Sequence, residues 1–286
     1  MERTAARWVV PGRDVAPRWW PAARRAGPSG GASVVTVTHN TLELTGLLLA
    51  SLLRVAGPRL RRIVVVDNGS TDGGRDLAEA AARAGLVDAV LNDANLYHGP
   101  ALDQGIWHLG ALAAAGEDTG DWVWLLDSDC VLLDPGTLDR VTGLDVDLVG
   151  ETIWNPWQRQ FRLGLYSLLF RPATVWRSPT VPFAEAGDPA TGFELSCRRA
   201  GLAACSFPFT ARGHLVHRGQ GTLAGVFRSE DTANKYFEWA SDNHDPHYQG
   251  ARHQARAYAM ALAAFRREVG ALTPGAIVTA LRRARR

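Results

Sequence analysis

From Ala32 onward the apolar residues fall into two alternating modes, short β-branched runs and longer stretches at helical spacing. Ser33 to Thr38 is a β-branched run, the composition of a strand. Leu44, Leu48, Leu52 and Val55 then recur every three to four residues, and Gly57-Pro58 closes the helix that this spacing predicts. Asn40, with Glu43 three residues later, predicts a capping box at its start. Arg62 to Asp67 carries a continuous Ile-Val-Val-Val run, as expected of a parallel strand buried on both faces. Asn68-Gly69-Ser70 turns the chain into an Ala-rich helix that runs to about Ala84, with Gly85 in the terminating position. Val87 to Leu91 predicts a third strand, Pro100 to Ala115 a third helix and Trp122 to Leu126 a fourth strand.

Three rounds of strand and helix imply an α/β fold with a mostly parallel central sheet flanked by helices. In such a sheet ligands bind at the carboxyl ends of the strands. After Leu132 the pattern loosens into a short helix from Pro135, a strand near Asp147 to Thr152 and a helix from about Pro189 to Ala200. Polar, aromatic and Arg-Ala-rich segments then predict helical C-terminal additions. Residues 1–31, rich in Pro, Gly, Arg and Ala without sustained period, read as a poorly ordered arm.

The charge balance, 31 Lys plus Arg against 29 Asp plus Glu, excludes a bulk electrostatic grip on nucleic acid. Arg282, Arg283, Arg285 and Arg286 do cluster at the end of the chain, either as a solvated helix end or as a contact for anionic lipid. Three cysteines, Cys130, Cys197 and Cys205, form no CxxC pair and suggest neither a disulfide framework nor a cysteine zinc site. The most apolar short stretch, Leu47 to Leu53, is cut off by Arg54, far short of the roughly 20 residues a spanning helix needs. A cytoplasmic location without a membrane span is the expectation, with peripheral attachment at the inner face of the membrane as the further option. The Arg- and Ala-rich composition is compatible with a GC-rich bacterial genome.

The chemistry concentrates after the fourth strand, where Asp127-Ser128-Asp129 stands at the expected ligand edge. Alternate residues of an extended segment point the same way, so two hard oxygen ligands can hold Mg²⁺ or Mn²⁺ against a diphosphate. With these residues the segment Ser33 to about Leu133 resembles the nucleotide-binding half of family 2 glycosyltransferases of the GT-A fold. Val34-Val-Thr-Val-Thr-His-Asn40 resembles their first strand, and Ile63-Val-Val-Val-Asp-Asn-Gly-Ser-Thr-Asp72 their second strand and its turn. Asn95-Leu-Tyr-His-Gly-Pro-Ala-Leu-Asp-Gln-Gly105 resembles their entry to the third helix, and Asp127-Ser128-Asp129 their DxD. Tyr97 stands where the family usually has Gly, and Asp103 where it often has Asn, departures that bear on donor preference.

The resemblance implies a GT-A catalytic domain over 32–225, with a nucleotide-sugar-binding half at 32–133, an acceptor half at 134–225 and a helical extension at 226–286. It implies a single inverting transfer of sugar from a UDP-, dTDP- or GDP-linked donor to a small-molecule, glycan or lipid-linked acceptor. Thr38, Asn40, Asp67 and Asn68 are then donor-binding, with Asp67 on the nucleobase. Asp127 approaches the ribose or sugar beside Ser128, and Asp129 ligates Mn²⁺ or Mg²⁺. His217, in Gly213-His-Leu-Val-His-Arg-Gly-Gln-Gly221, resembles the His near the end of the family's catalytic domain as a further ligand, with His214 as the competing choice and Arg218 as a diphosphate contact. Asp188, in Asp188-Pro-Ala-Thr-Gly192, resembles the acidic motif that supplies the catalytic base, in a variant ending in Thr191 and Gly192 on the acceptor side. Glu185 and Glu194 are the other candidates. Trp154 and Trp157 either stack on an acceptor or anchor the core.

Two other readings stand beside this one. A sugar-phosphate nucleotidyltransferase would open with a Gly-rich loop, where this chain has Thr38-His39-Asn40-Thr41. A non-catalytic binding or scaffold protein would have no need of Asp127, Asp129 and His217 together.

Overall fold

The computed structural model describes residues 30–155, 160–175, 183, 189–218 and 251–286. The parallel core forms where the β-branched runs lie: β1 (Ala32–Thr38), β2 (Leu60–Asn68), β3 (Asp88–Asn92) and β4 (Trp122–Leu126). β6 (Leu148–Asn155), β7 (Gln160–Phe170) and β8 (Ala204–Ser206) extend the same sheet, in the order β3-β2-β1-β4-β7-β6-β8. Only β7 runs against the others, pairing antiparallel with both β4 and β6. The expected nucleotide-binding and acceptor halves therefore share one sheet across 133/134. β5 (Cys130–Leu132) and β9 (Leu215–His217) form a separate antiparallel pair.

Helices cover both faces because successive strand residues point opposite ways. Val34, Val65, Trp124 and Leu169 pack on one side against α1 (Leu42–Val55) and α2 (Gly74–Arg83), together with α7 (Ala251–Val269) and α8 (Pro274–Ala284). Val35, Val64, Val66, Val123 and Leu125 pack on the other against α3 (His98–Ala114) and α6 (Pro189–Arg199). α4 (Thr137–Thr142) and α5 (Pro172–Val175) are short connectors. The C-terminal helices thus brace α1 and α2, and Arg266–Glu43 and Arg54–Glu268 ion pairs decorate the seam. Arg283 and Arg285 of the basic tail donate to the carbonyls of Glu268 and Gly85. No helix among the described residues is long and apolar enough to cross a membrane.

The predicted capping box is not what starts α1. Asn40 adopts a left-handed conformation (φ 53°) and its Oδ1 accepts from the Thr71 N–H at 2.7 Å. The Asp72 carboxylate instead accepts the Leu42 N–H at 2.7 Å, so the first helix is capped from the turn after β2. That exchange staples the first two strand ends to each other.

Glycine is required where α3 meets the sheet. A Cβ at Gly105 would lie 2.4 Å from Val35 Cγ1 and 3.0 Å from Val66 Cγ2. Alanine would gain up to about 1 kcal/mol of helix propensity. Forcing a methyl against two stiff β-branched side chains costs more, roughly 1–3 kcal/mol. Gly105→Ala should therefore lower the urea midpoint despite its better propensity, and an unchanged or raised midpoint would show that the helix can slide away without loss.

Candidate active site

The carboxyl ends of β1, β2 and β4 meet at one edge, with Thr38 in register with Asp67 and Asp127 directly after Leu126. Asp67 is fully buried. Its Oδ2 accepts the Ser70 N–H at 3.1 Å, while Oδ1 has no hydrogen-bond partner among the described residues. Such an acceptor costs free energy until something donates to it.

Thr38, expected to line a base pocket, is wholly enclosed, with its hydroxyl 2.8 Å from those of Thr41 and Thr45. Thr41 in turn lies 3.2 Å from the Ser128 hydroxyl, so a hydroxyl chain links the end of β1 to the Asp127–Asp129 segment beneath the surface. Thr38 and Ser128 underpin the edge rather than face it. Asn68 is likewise internal. Both amide protons are donated, to Asn95 Oδ1 and the Tyr97 carbonyl, and its oxygen accepts from Asn92 Nδ2 and the Leu96 N–H. An Asn side chain has two donors and two lone pairs, so none is left for a ligand. Asn68 ties the 92–97 loop to the end of β2. Asn40 is the exposed member of this set.

The pairing of β5 with β9 sets Cys130 opposite His217 and brings the imidazole to the two aspartates. His217 Nε2 lies 3.2 Å from Asp129 Oδ1 and 3.5 Å from Asp127 Oδ2, misaligned for a hydrogen bond to either. Burial alone would push the His217 pKa down, but the Asp129 and Asp127 carboxylates outweigh it and hold it up at about 10. Burial would raise Asp127, yet His217 and the nearby charge of His98 keep it below the usual carboxylate range. His98 Nε2 is 3.7 Å from Asp127 Oδ1.

A proton on His217 and a divalent cation among these side chains answer the same electrostatic demand, two carboxylates in a desolvated place. Carboxylate oxygen with imidazole nitrogen suits Mn²⁺ better than Mg²⁺, which prefers oxygen and water. Cys130 completes a group with Asp129 and His217 whose ligand atoms lie within 4.8 Å of one another. Its thiol is pushed well up by burial and the adjacent carboxylates, and it donates to the Tyr166 carbonyl.

The competing histidine has a different place. His214 Nδ1 lies 2.6 Å from Asp134 Oδ2, beside Arg140, where it ties the entry of β9 to the exit of β5. Glu194 is buried and accepts the Leu163 N–H at 3.1 Å while pairing with Arg198, so it anchors α6 under β7. Asp188, Glu185 and Trp157 lie outside the described residues. So do the side chains of Trp154, on β6, and Thr191, on α6, whereas Gly192 is exposed on α6. The Arg218 N–H donates to the Asp129 carbonyl at 3.1 Å, which places Arg218 directly after the His217 ligand position.

Several residues at this edge were not singled out from the sequence. His98 lies within the quoted Asn95–Gly105 motif and was legible as a titratable residue at a helix entry. Thr41 and Tyr166 carry no local signal, because their roles depend on partners from distant strands. Tyr166 stacks on His217 with ring centroids 4.4 Å apart and planes at 8°. Burial and the Glu151 carboxylate push its phenol well up, so it keeps its proton and donates to Glu151. Tyr97, which replaces a family glycine, does hold a glycine-type backbone (φ 67°, ψ 169°) with its ring exposed.

An acid pair at the end of the central parallel strand, faced by a histidine from a small antiparallel ribbon, thus marks the carboxyl edge of this α/β fold. Residues 33–143 match the sequence profile described as glycosyl transferase family 2. No curated protein matches the chain. Among solved structures, the chain is similar to Staphylococcus aureus TarS 1-349 (17% identity, TM-score 0.46, 62% of this chain and 58% of that one). The same protein in complex with UDP-GlcNAc gives 17% identity and TM-score 0.46 over 62% of this chain and 56% of that one. The chain thus spans a little over half the length of those TarS structures. It is also similar to the mannosyltransferase PcManGT of Pyrobaculum calidifontis in complex with GDP-Man and Mn²⁺ (16% identity, TM-score 0.46, 94% of this chain and 92% of that one).

Proposed function

We propose that the chain is an inverting glycosyltransferase that moves one sugar from a nucleotide-sugar donor to an acceptor hydroxyl. The observation that carries this reading is the partly buried imidazole of His217 facing the Asp127 and Asp129 carboxylates at the carboxyl edge of the sheet, beside the residues that match the family 2 profile. Asp129 and His217 would hold Mn²⁺ or Mg²⁺, with Asp127 beside them. Bound there, the ion would neutralise the diphosphate leaving group as it departs.

The chain's own residues do the rest. The unpartnered Asp67 Oδ1 is suited to the imino N–H of uracil, thymine or guanine, and its burial makes that acceptor selective. Asn40 stands at the exposed rim of the same edge. Asp127, held ionised by its histidine neighbours, orients the ribose or sugar hydroxyls. Arg218 approaches the diphosphate from beside His217. Asp188, with Thr191 and Gly192 on the acceptor side, takes the proton of the attacking hydroxyl, and Trp154 and Trp157 offer the acceptor an aromatic face. The acceptor is a small molecule, a glycan or a lipid-linked sugar.

Calorimetric titration with UDP, dTDP and GDP, each with and without Mn²⁺, tests the donor half. One nucleotide should bind at least tenfold more tightly with the metal. Asp67→Asn should weaken that nucleotide by a further factor of about ten, the scale of one hydrogen bond to a charged acceptor. If none of the three binds in a metal-dependent way, the enzyme reading fails.

A further inference from the structure

Beneath the metal-binding edge lies a buried chain of contacts that spans four segments of the fold. Tyr166, on β7, touches both sources of candidate ligands. Its carbonyl accepts the Asp127 N–H at 3.1 Å and the Cys130 thiol at 3.5 Å, and its ring lies flat on the His217 imidazole. The phenol hydroxyl donates to Glu151 Oε2 from β6. Glu151 is itself held by the Thr210 N–H at 2.9 Å, the Thr210 hydroxyl at 2.7 Å and the Ala211 N–H at 3.2 Å. Thr210 and Ala211 belong to the segment that leads into β9, the strand bearing His217.

A buried carboxylate is costly unless its oxygens are satisfied, and Glu151 is satisfied four times, by both ends of this chain. It fixes the ring of Tyr166 and the approach of β9 relative to one another. His217 Nε2 pairs by charge with Asp129 and Asp127, and the stack on Tyr166 fixes the plane in which its ring meets them. The electron-rich face of a phenol also favours an imidazole that carries positive charge, as a metal-bound ring does.

We propose that Tyr166 is a positioning residue that presents His217 and Asp127 to the metal, with Glu151 as its anchor. This rests on reading Asp127, Asp129 and His217 as the metal-binding group. Outer contacts that orient a metal-binding histidine typically tune affinity 10- to 100-fold.

The test measures Mn²⁺ binding to the full chain by electron paramagnetic resonance of the free ion, with melting temperature recorded for every variant. Tyr166→Leu, which removes the ring, should weaken Mn²⁺ by about 10- to 100-fold. Tyr166→Phe keeps the stack and should restore most of that loss, leaving a deficit of a few fold that Glu151→Gln reproduces. In ¹⁵N-histidine spectra, the ring-current shift on the His217 protons should persist in Tyr166→Phe and vanish in Tyr166→Leu, a change that loss of stability alone does not produce. If Tyr166→Leu does not fold, the Tyr166→Phe and Glu151→Gln deficits decide by themselves. Wild-type affinity in folded Tyr166 and Glu151 variants overturns the positioning role, provided that Asp129→Ala has lost Mn²⁺. If Asp129→Ala binds as wild type does, the metal-site reading is what has failed.

Discussion

On the proposed mechanism, Asp129→Ala is expected to lower sugar transfer about a thousandfold or more while leaving the protein folded, because the cation that this carboxylate would hold would supply several kcal/mol of charge stabilisation at the leaving group. The backbone contacts at this position survive the substitution. The Asp129 carbonyl still accepts the Arg218 N–H, and the Cys130–His217 strand pairing does not involve the side chain. Removing one partner of a buried ion pair often costs 3–5 kcal/mol. Here His217 has an escape, since without Asp129 the main influence raising its pKa is gone and it can shed its proton. The stability loss should therefore be small, and treating the wild type with EDTA should reproduce the catalytic loss. Turnover close to wild type in Asp129→Ala would show that the metal is held elsewhere.

The second large effect is one of pH. Asp103, on α3, is desolvated enough that its carboxyl is pushed up to about 8, against the Phe183 N–H hydrogen bond that pulls it down. In the unfolded chain it titrates near 3.8. Between those values the folded protein holds a proton that the unfolded chain releases. The contribution of Asp103 to stability is complete below about pH 4 and is lost progressively as pH rises through 8. A neutral carboxyl has nearly the shape of an amide, so Asp103→Asn preserves the form that the fold favours, and Asn is what the family often carries there. The variant and the wild type should match near pH 4. By pH 9 the variant should be the more stable by a few kcal/mol, as each unit of separation is worth about 1.4 kcal/mol. Urea unfolding at pH 5, 7 and 9 reads this directly, and parallel profiles for the two proteins would mean that Asp103 stays ionised in the fold.

The parallel core was legible in the sequence because burial on both faces leaves continuous runs. Ile63 to Val66 and Trp122 to Leu126 announce themselves, and their observed bounds differ from the expected ones by two residues at most. β7 was missed although Leu163 to Phe170 is buried throughout. Its run is broken by Gly164, Tyr166 and Ser167, and Ser167 is polar because its hydroxyl accepts the Trp124 indole N–H at 3.0 Å. β5 and β9 are three-residue strands that exist only through their mutual pairing, so no window of sequence could show them. The same fact explains why His214 and His217 could not be told apart beforehand. Their local contexts are alike, and only the register with Cys130 sends one to the aspartates and the other to Asp134. The family resemblance implies donor contacts at Thr38 and Asn68, which stand at the ends of β1 and β2. Whether a polar side chain there faces outward or braces its neighbours depends on which partners reach it, and in both cases the partners come from other turns.

The reversed direction of β7 has a consequence for how such a chain can diversify. Leu126 is in register with Ser167, so residues 160–166 and the facing end of β6 run on past the last residue of β4. At about 3.3 Å per residue, that overhang is on the order of 20 Å. It is held at its base by Tyr166 and Glu151 and farther along by Leu163, whose N–H donates to Glu194. Substitutions at 162–165 leave the pairings among β1, β2, β3 and β4 untouched, whereas changes at Tyr166 or Glu151 reach the segment that leads to His217.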